Sequence, residues 1–415
     1  MAHPRVLAID VGTGTQDILV FEAGTVIENA VQLIMPSPTA LLAEQVRQAT
    51  VEGTDLFLTG VTMGGGPDHW AVEAHLRKGL KVYATPDAAR TFDDDLTRVE
   101  AMGLRIVDGP DGVGGARRLE MRDFYFSELM DALKSFQVST VFDAVAVAVF
   151  DHGAAPPGVS DRRFRFDYLR EQVERGTGLT GFGFLAGEIP ARMTRMRAVA
   201  RTWTGSEPLF LMDTGPAAIL GALDDPRVGE LEHVMVVNLG NFHTIAALLD
   251  GRRIAGLFEH HTGELTLEKL EGYLDGLATG TLSNQAVFDD MGHGALELGP
   301  IAEPSAPLAL TGPRRGLLER SRLRSHLAVP HGDMMLTGCF GLLRALALRL
   351  PELAPAIAGQ LGAPANRLNG EPPRRIGTAS PHSKRGIHWS SPRPSPNFDR
   401  VSTVSFRSSK RCART

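Results

Sequence analysis

Two stretches of this chain share one pattern, in which an apolar strand is followed by a glycine turn and a second apolar strand. They are AIDVGTGTQDILVF, residues 8–21, and VVNLGNFHTIAALL, residues 236–249. Each pattern predicts an antiparallel β-hairpin, and the two lie about half a chain apart. Helices and strands alternate around them, which favours α/β layers. The chain is therefore expected to contain duplicated α/β halves that face each other.

The first turn does not fit the two common phosphate-binding patterns. Asp17 stands where a Rossmann turn has its third glycine, and a strand follows where that fold needs a helix. No Lys-Ser/Thr pair follows the glycines, so a Walker loop is excluded. What remains is a strand-turn-strand whose backbone amides can face phosphate oxygens, with Asp10 placed to hold a hydrated Mg²⁺. An ordinary tight hairpin is the alternative for this turn alone, and the second turn favours the phosphate-binding interpretation.

Charge divides the chain into an acidic body and a basic end. The net charge is −5, yet residues 361–415 hold 11 Lys and Arg against 2 Asp and Glu. A strongly acidic body argues against nucleic acid as the main partner. No apolar run approaches the roughly 20 residues that cross a bilayer, and two cysteines cannot build a disulfide framework. We therefore expect a cytoplasmic protein that binds neither nucleic acid nor membrane, and the sequence does not indicate its oligomeric state.

The two turns and a third loop, LALTGPRRGLL, resemble the phosphate-1, phosphate-2 and adenosine loops of the actin, sugar kinase and heat-shock chaperone superfamily. The resemblance implies two RNase H-like domains with ATP and Mg²⁺ in the cleft between them. They are expected at residues 1–200, with the first loop, and 205–352, with the other two. Residues 353–415 are predicted to be a disordered tail. The implied nucleotide-binding residues are Gly12, Thr13, Gly14, Thr15, Gln16, Asn238, Gly240, Asn241, Thr244, Gly312 and Arg314.

A narrower resemblance covers roughly residues 5–350. The segments AIDVGTGTQDIL, GVTMGGGPDHW, NLGNFHTIAA, FEHHTGEL and LTGPRR together resemble a prokaryotic domain-of-unknown-function family often labelled "putative pyruvate formate-lyase activating enzyme". A radical enzyme of that kind needs three closely spaced cysteines for an iron–sulfur cluster. The body contains only Cys339, so the chain alone is not expected to perform that reaction.

Three residues depart from the superfamily pattern. The second loop has Asn238 where an aspartate is usual, and Asn241 in place of a glycine. Asp17 occupies a region where many relatives have a phosphate donor, and its carboxylate would repel a γ-phosphate. These departures weaken the expectation of ATP hydrolysis more than that of nucleotide binding.

Other polar residues follow apolar strands, where α/β sheets gather ligands and catalytic groups. Asp151 and Asp213 are candidate general bases, as Asp10 is a candidate catalytic residue, although Asp213 could instead cap a helix. On a strand, Glu259 and His261 share a face and His260 points the other way. Together with His243, these three are candidate ligands for a divalent metal, and hydrogen-bonded histidines at a polar strand end are the alternative.

Three functions follow from these observations. The first is an ATP-dependent phosphotransferase or ATPase that acts on a small molecule. The second is a nucleotide-operated switch that activates a partner enzyme. The third is a metal-dependent enzyme that uses Glu259, His260 and His261.

Overall fold

The computed structural model describes residues 3–251, 253–296 and 306–362. Its strands are β1 (Arg5–Val11), β2 (Thr15–Glu22), β3 (Val31–Pro36), β4 (Leu56–Gly60), β5 (Val82–Ala84), β6 (Arg105–Ile106), β7 (Arg117–Met121), β8 (Ala144–Val149), β9 (Gly183–Leu185), β10 (Leu209–Asp213), β11 (His233–Leu239), β12 (His243–Asp250), β13 (Arg253–His261), β14 (Gly294–Ala295), β15 (Leu308–Thr311) and β16 (Ser325–Leu327). Its α-helices are α1 (Pro38–Glu52), α2 (Pro67–Arg77), α3 (Pro86–Ala89), α4 (Leu96–Ala101), α5 (Phe126–Ser135), α6 (Asp161–Glu174), α7 (Thr194–Thr202), α8 (Thr214–Ala222), α9 (Pro226–Gly229), α10 (Leu267–Thr279), α11 (Asn284–Asp289), α12 (Thr337–Arg349) and α13 (Ala354–Leu361).

Two sheets repeat one strand arrangement. The first has the order β3-β2-β1-β8-β10-β9, and the second has β14-β13-β12-β11-β15-β16. In each, three antiparallel strands are followed by two that run parallel to the first of them. Setting aside the edge strands β9 and β14, both orders are the 3-2-1-4-5 order of an RNase H-like sheet. The duplicated hairpins therefore belong to two RNase H-like domains, and this confirms the predicted actin-like fold.

The central strands of the first sheet, β1, β8 and β10, run parallel to one another. The sequence of β8, AVAVAV, is buried at every position, as expected for a strand covered on both faces. Its neighbours β1 and β10 are buried along most of their length and continue the same core. The polar residues that end these strands consequently lie together at one edge of the sheet.

The first domain carries an insertion that the sequence analysis did not anticipate. Strands β4 to β7 form a separate parallel sheet in the order β6-β5-β4-β7, with its own apolar core shared by helices α1 to α4. Apolar periodicity can indicate a strand, but it does not reveal which sheet the strand joins.

Helices α8 and α12 cross between the two repeated sheets, with glycine at the point of contact. A Cβ atom on Gly221 would overlap the carbonyl oxygen of Thr337, and one on Gly341 would overlap that of Ala217. The two backbones therefore meet directly, without side chains between them.

Several boundaries differ from the predicted ones. Strand β10 was predicted to begin the C-terminal domain at residue 205, yet it pairs with β8 in the first sheet. Helices α3 and α4 are separate helices, because the Asp95 side chain caps a new helix start at Leu96.

Helix α13 lies within the range predicted to be tail, and it buries Leu353, Ile357 and Leu361 against the body. The folded body therefore extends past residue 353. The remainder of the predicted disordered tail, residues 363–415, lies outside the described residues. Within the described ranges, no helix combines the length and the apolar character that crossing a bilayer requires.

Candidate functional site

The two glycine turns have the same hydrogen bond. Gly12 N–H donates to Thr15 O at 2.9 Å, and Gly240 N–H donates to His243 O at 3.0 Å. The turns also touch, since a Cβ atom on Gly14 would overlap the side-chain amide of Asn241. Two equivalent turns from two equivalent sheets therefore face each other at the centre of the molecule.

Two carboxylates lie at the base of the first turn. Asp10 and Asp17 are directly opposite each other in the β1–β2 register, so their side chains share one face. Burial raises the pKa of Asp10 to about 6, and burial together with the Asp10 charge raises that of Asp17 to about 8. Thr214 Oγ1 donates to Asp10 Oδ1 at 2.6 Å, whereas Asp17 Oδ1 has no hydrogen-bond partner among the described residues.

A small cavity of about 90 Å³ separates the two turns. It is lined by residues of the first turn, the second turn, the start of α8, the loop after β15 and the start of α12. The predicted nucleotide-binding residues that line it are Gly12, Thr13, Thr15, Asn238, Gly240, Asn241 and Gly312, together with Asp10. The loop after β15 is close because Gly312, at a φ of 94°, packs against Asn238 and Leu239.

Four other predicted nucleotide-binding residues do not line this cavity: Gly14, which contacts Asn241, and Gln16, Thr244 and Arg314. Gln16 Nε2 donates to Pro36 O at 3.1 Å, and Thr244 is buried with its hydroxyl 2.9 Å from that of Thr262. Arg314 joins the loop to the sheet through its backbone N–H, which donates to Leu239 O at 2.9 Å. These contacts stabilise the framework of the loops.

The two other predicted catalytic aspartates are buried and hydrogen-bonded. Asp151 accepts from the backbone N–H groups of Gly153 and Met196, each at 2.8 Å. Asp213 caps α8 through Gly215 N–H and forms a buried ion pair with Arg165. Asp213 is therefore a helix cap, as the alternative interpretation expected. The sequence did not indicate its ion pair with Arg165.

Arg165 also connects the two domains. It extends from α6 and donates through Nε and Nη2 to the two carboxylate oxygens of Glu259 on β13, at 3.1 and 2.9 Å. Arg165 and Glu259 are buried, and the Arg165 guanidinium lowers the pKa of Glu259 well below its usual range despite burial. Glu259 therefore remains ionised, with both oxygens hydrogen-bonded.

Four histidines lie beside this ion pair, in or next to a larger cavity. His152 follows β8, His243 begins β12, His261 ends β13, and His293 precedes β14. Ligand-capable atoms of His152, His243 and His293 all lie within 4.8 Å of one another. Burial lowers the pKa of each of these three histidines, so each imidazole is neutral at pH 7 and has one lone pair.

The predicted metal residues are only partly brought together. His243 and His261 pair directly across the β12–β13 register, and Glu259 lies on their side of the sheet. His260 points to the other face, where its ring lies 5.5 Å from that of Tyr273. Glu259 contacts His293 Nδ1 at 2.5 Å. His260 is thus separated from the group.

The cavity beside the histidines has a volume of about 380 Å³. It is bounded by Gly64, Gly65 and Gly66 of the inserted sheet, and by Phe150, Arg162, Arg195, His152, His243 and His261. Arg195 is fixed by an ion pair with Asp123 at 2.7 Å. The glycine segment before α2 therefore forms one wall of this cavity.

Sequence reasoning missed His293, Arg165 and the pairing of His152 with the second domain. His293 is enclosed by glycines in a segment without clear periodicity, and Arg165 occurs in a polar stretch. A charged residue recurring among the apolar positions of α6 was the available signal, since Phe166 and Leu169 are buried beside Arg165.

A search of curated proteins finds no match. Among solved structures, the chain is similar to the ethanolamine utilization protein EutJ from Carboxydothermus hydrogenoformans, with 13% identity and a TM-score of 0.28, covering 83% of this chain and 89% of that one. It is also similar to the Aquifex aeolicus member of the Ppx/GppA family, with 10% identity and a TM-score of 0.28, covering 87% and 88%.

A third similar structure is a ROK family transcriptional regulator, a homologue of the E. coli MLC protein. Its identity is 11% and its TM-score is 0.24, and the match covers 60% of this chain and 38% of the regulator. This chain thus spans well under half of the regulator's length. At these identities and scores, the three structures assign no function to the chain.

A family model matches residues 63–317, which is more than half of the 415 residues. This region includes the glycine segment before α2, the second turn and the loop after β15, all of which line the cavities described above. The chain belongs to the family described as "Putative pyruvate format-lyase activating enzyme (DUF1786)".

Proposed function

We propose that the chain binds ATP with Mg²⁺ between its two glycine turns and acts as a phosphotransferase or ATPase on a small molecule. The observation that supports this most strongly is the equivalence of the turns. Each closes with the same backbone hydrogen bond, and each follows the first strand of an RNase H-like sheet. Backbone amides in such turns can surround phosphate groups from two sides.

Asp10 and Asp17 fit a hard cation. Mg²⁺ prefers carboxylate oxygens and keeps several of its waters. Asp17 Oδ1 is buried without a hydrogen-bond partner among the described residues, and it faces the other carboxylate of the pair. When bound, Mg²⁺ would neutralise phosphate charge, and this offsets the repulsion expected from Asp17.

Nucleotide binding on this scheme requires the turns to separate. A cavity of about 90 Å³ is smaller than the roughly 300 Å³ or more of small-molecule sites. The contact between Gly14 and Asn241 is the one that has to open. The nucleotide would then occupy the space between the turns and the loop that begins at Gly312.

A nucleotide-operated switch is the second candidate. Asp213 and Asp151, the two other predicted general bases, are both engaged in buried hydrogen bonds or ion pairs. Asn238, at the position equivalent to Asp10 in the second turn, is uncharged. Both observations favour slow hydrolysis and a protein that changes shape with its nucleotide.

A thermal-shift panel tests nucleotide binding. ATP with Mg²⁺ should raise Tm above Mg²⁺ alone, by an amount equivalent to about 2.7 kcal/mol at a ligand concentration of 100 times Kd. Asp10→Asn should reduce the Mg²⁺-dependent part of the rise, and Asp131→Asn, at an exposed residue of α5, is the matched control. The absence of any shift with ATP, ADP or GTP would contradict the proposal.

ADP release separates the two functions. Release that increases with a small-molecule acceptor supports the phosphotransferase, and release from the protein alone supports the ATPase. Binding of ATP without measurable release of ADP supports the switch.

A further inference from the structure

We propose that His152, His243, His261 and His293 together bind one divalent transition-metal ion. These four residues are called the histidine cluster below. The proposal does not depend on nucleotide binding, because the cluster adjoins the larger cavity. Of its four residues, only His243 also belongs to the second turn, which its backbone carbonyl closes. Imidazole nitrogens suit ions such as Zn²⁺ and Co²⁺, whereas Mg²⁺ prefers oxygen ligands.

The arrangement of His261 and His293 is the first support. Their Nε2 atoms are 3.2 Å apart. His261 Nδ1 lies 2.8 Å from Met291 O, which can only accept, so the ring proton of His261 is on Nδ1. His293 Nδ1 faces the Glu259 carboxylate, which also only accepts. Both Nε2 atoms therefore present lone pairs to each other, an arrangement that a cation between them stabilises.

The spacing agrees with a single ion. Two nitrogens at about 2.0–2.1 Å from a tetrahedral ion are about 3.3 Å apart. The His261–His293 distance of 3.2 Å is close to that value. The atoms of His152, His243 and His293, which lie within 4.8 Å of one another, would need to draw together by about 1 Å or somewhat more.

His243 supplies an independent indication. Its Nε2 is buried and has no hydrogen-bond partner among the described residues. The ring is held in place by stacking on Phe150, with centroids 3.8 Å apart and planes 6° from parallel. A buried polar atom without a partner is costly, and a metal ion bound there would satisfy it.

The surroundings complete a metal site. Histidine ligands usually donate their other ring N–H to a carboxylate or a backbone carbonyl. Glu259 provides the carboxylate for His293, and Met291 provides the backbone carbonyl for His261. Glu259 is in turn oriented by Arg165, so it is a positioning residue and not a ligand. The cavity of about 380 Å³ gives the ion a path from solvent.

Metal analysis of the tag-free full chain tests the proposal. The protein is stripped with chelator, dialysed against Zn²⁺ or Co²⁺ and freed of excess metal. We expect one ion per chain, a Tm increase with Zn²⁺ but no comparable increase with Mg²⁺, and a visible Co²⁺ spectrum of four-coordinate nitrogen ligation. Less than a stoichiometric amount of Zn²⁺ at micromolar free concentration would overturn the proposal.

Variants locate the ion. His243→Ala and His152→Gln should each lower Zn²⁺ affinity by at least about tenfold. His152→Gln is the safer variant, because His152 is only partly buried. His261→Gln should shift the Co²⁺ spectrum, and an unchanged spectrum would exclude His261 as a ligand. His233→Gln, at a half-exposed histidine paired with Asp250, is the matched control and should retain full binding. Equal binding by the control and the cluster variants, with native circular dichroism in all, would contradict the site.

Discussion

Asp10 and Asp17 are directly opposite each other in the first hairpin, and their carboxylates share one face of the sheet at the base of the first glycine turn. Their raised pKa values, about 6 and about 8, mean that the pair holds close to one proton at pH 7. The carboxylates are thus sensitive to pH and to any cation that replaces the proton.

Asp17→Asn should raise the free energy of unfolding, and the gain should grow with pH. The folded protein binds the Asp17 proton more tightly than the unfolded chain, because burial raises its pKa from 3.8 to about 8. The stability associated with that proton is complete below pH 3.8 and is lost as the pH rises towards 8. We expect a gain on the order of 1–3 kcal/mol at pH 8 and little at pH 4. Urea unfolding at several pH values measures it, and a gain that is the same at every pH would refute the assignment.

Arg165→Met should destabilise the protein by about 3–5 kcal/mol at pH 8, because it leaves two buried carboxylates without their cation. Without Arg165, the pKa values of Asp213 and Glu259 should rise. Both carboxyl groups are then more readily protonated at pH 5, so the loss of stability should be smaller at pH 5 than at pH 8. Arg253→Met removes an exposed ion pair with Asp250 and should cost less than about 1 kcal/mol. Denaturant unfolding of both variants provides the comparison, and equal effects would show that burial of the Arg165 pairs is unimportant.

Gly341→Ala should destabilise the crossing of α8 and α12 by about 1–3 kcal/mol or more, since the added methyl overlaps the Ala217 carbonyl oxygen. Gly272→Ala, in the middle of α10, places its methyl in open space and should stabilise that helix by up to about 1 kcal/mol. Thermal unfolding distinguishes the two. A Gly341→Ala protein as stable as the parent would mean that the helices can move apart without cost.

A chain that ends at residue 352 should be less stable than one that ends at residue 362. The shorter chain lacks three buried side chains, Leu353, Ile357 and Leu361. It also removes two carbonyl acceptors from the buried Arg344. We expect a difference on the order of 3 kcal/mol or more in urea unfolding. Equal stability of the two chains would place α13 outside the cooperative unit.

The duplicated architecture could be predicted because its signal is local. A glycine turn between two apolar strands is visible within about 15 residues, and it occurs twice. The faces of Glu259 and His260 could also be predicted, since neighbouring strand residues point to opposite sides. The shared register of His243 and His261 follows from the β12–β13 pairing, which the sequence does not display.

The rest depends on contacts between distant parts of the chain. Nothing near His293 indicates that it meets Glu259, and Arg165 reaches Asp213 and Glu259 only because α6 packs between the domains. Strand β10 lies within residues 205–352, the range expected for the second domain. Its pairing with β8 is decided by burial across the sheet.

The crossing of α8 and α12 has a mechanical consequence. Helices usually interlock through ridges of side chains that resist rotation of one against the other. At Gly221 and Gly341 those ridges are missing, and the two backbones are in direct contact, Gly221 with Thr337 and Gly341 with Ala217. The crossing can therefore serve as a pivot. Because α8 and α12 both begin at the cavity between the two glycine turns, a small rotation of one helix against the other would change the width of that cavity.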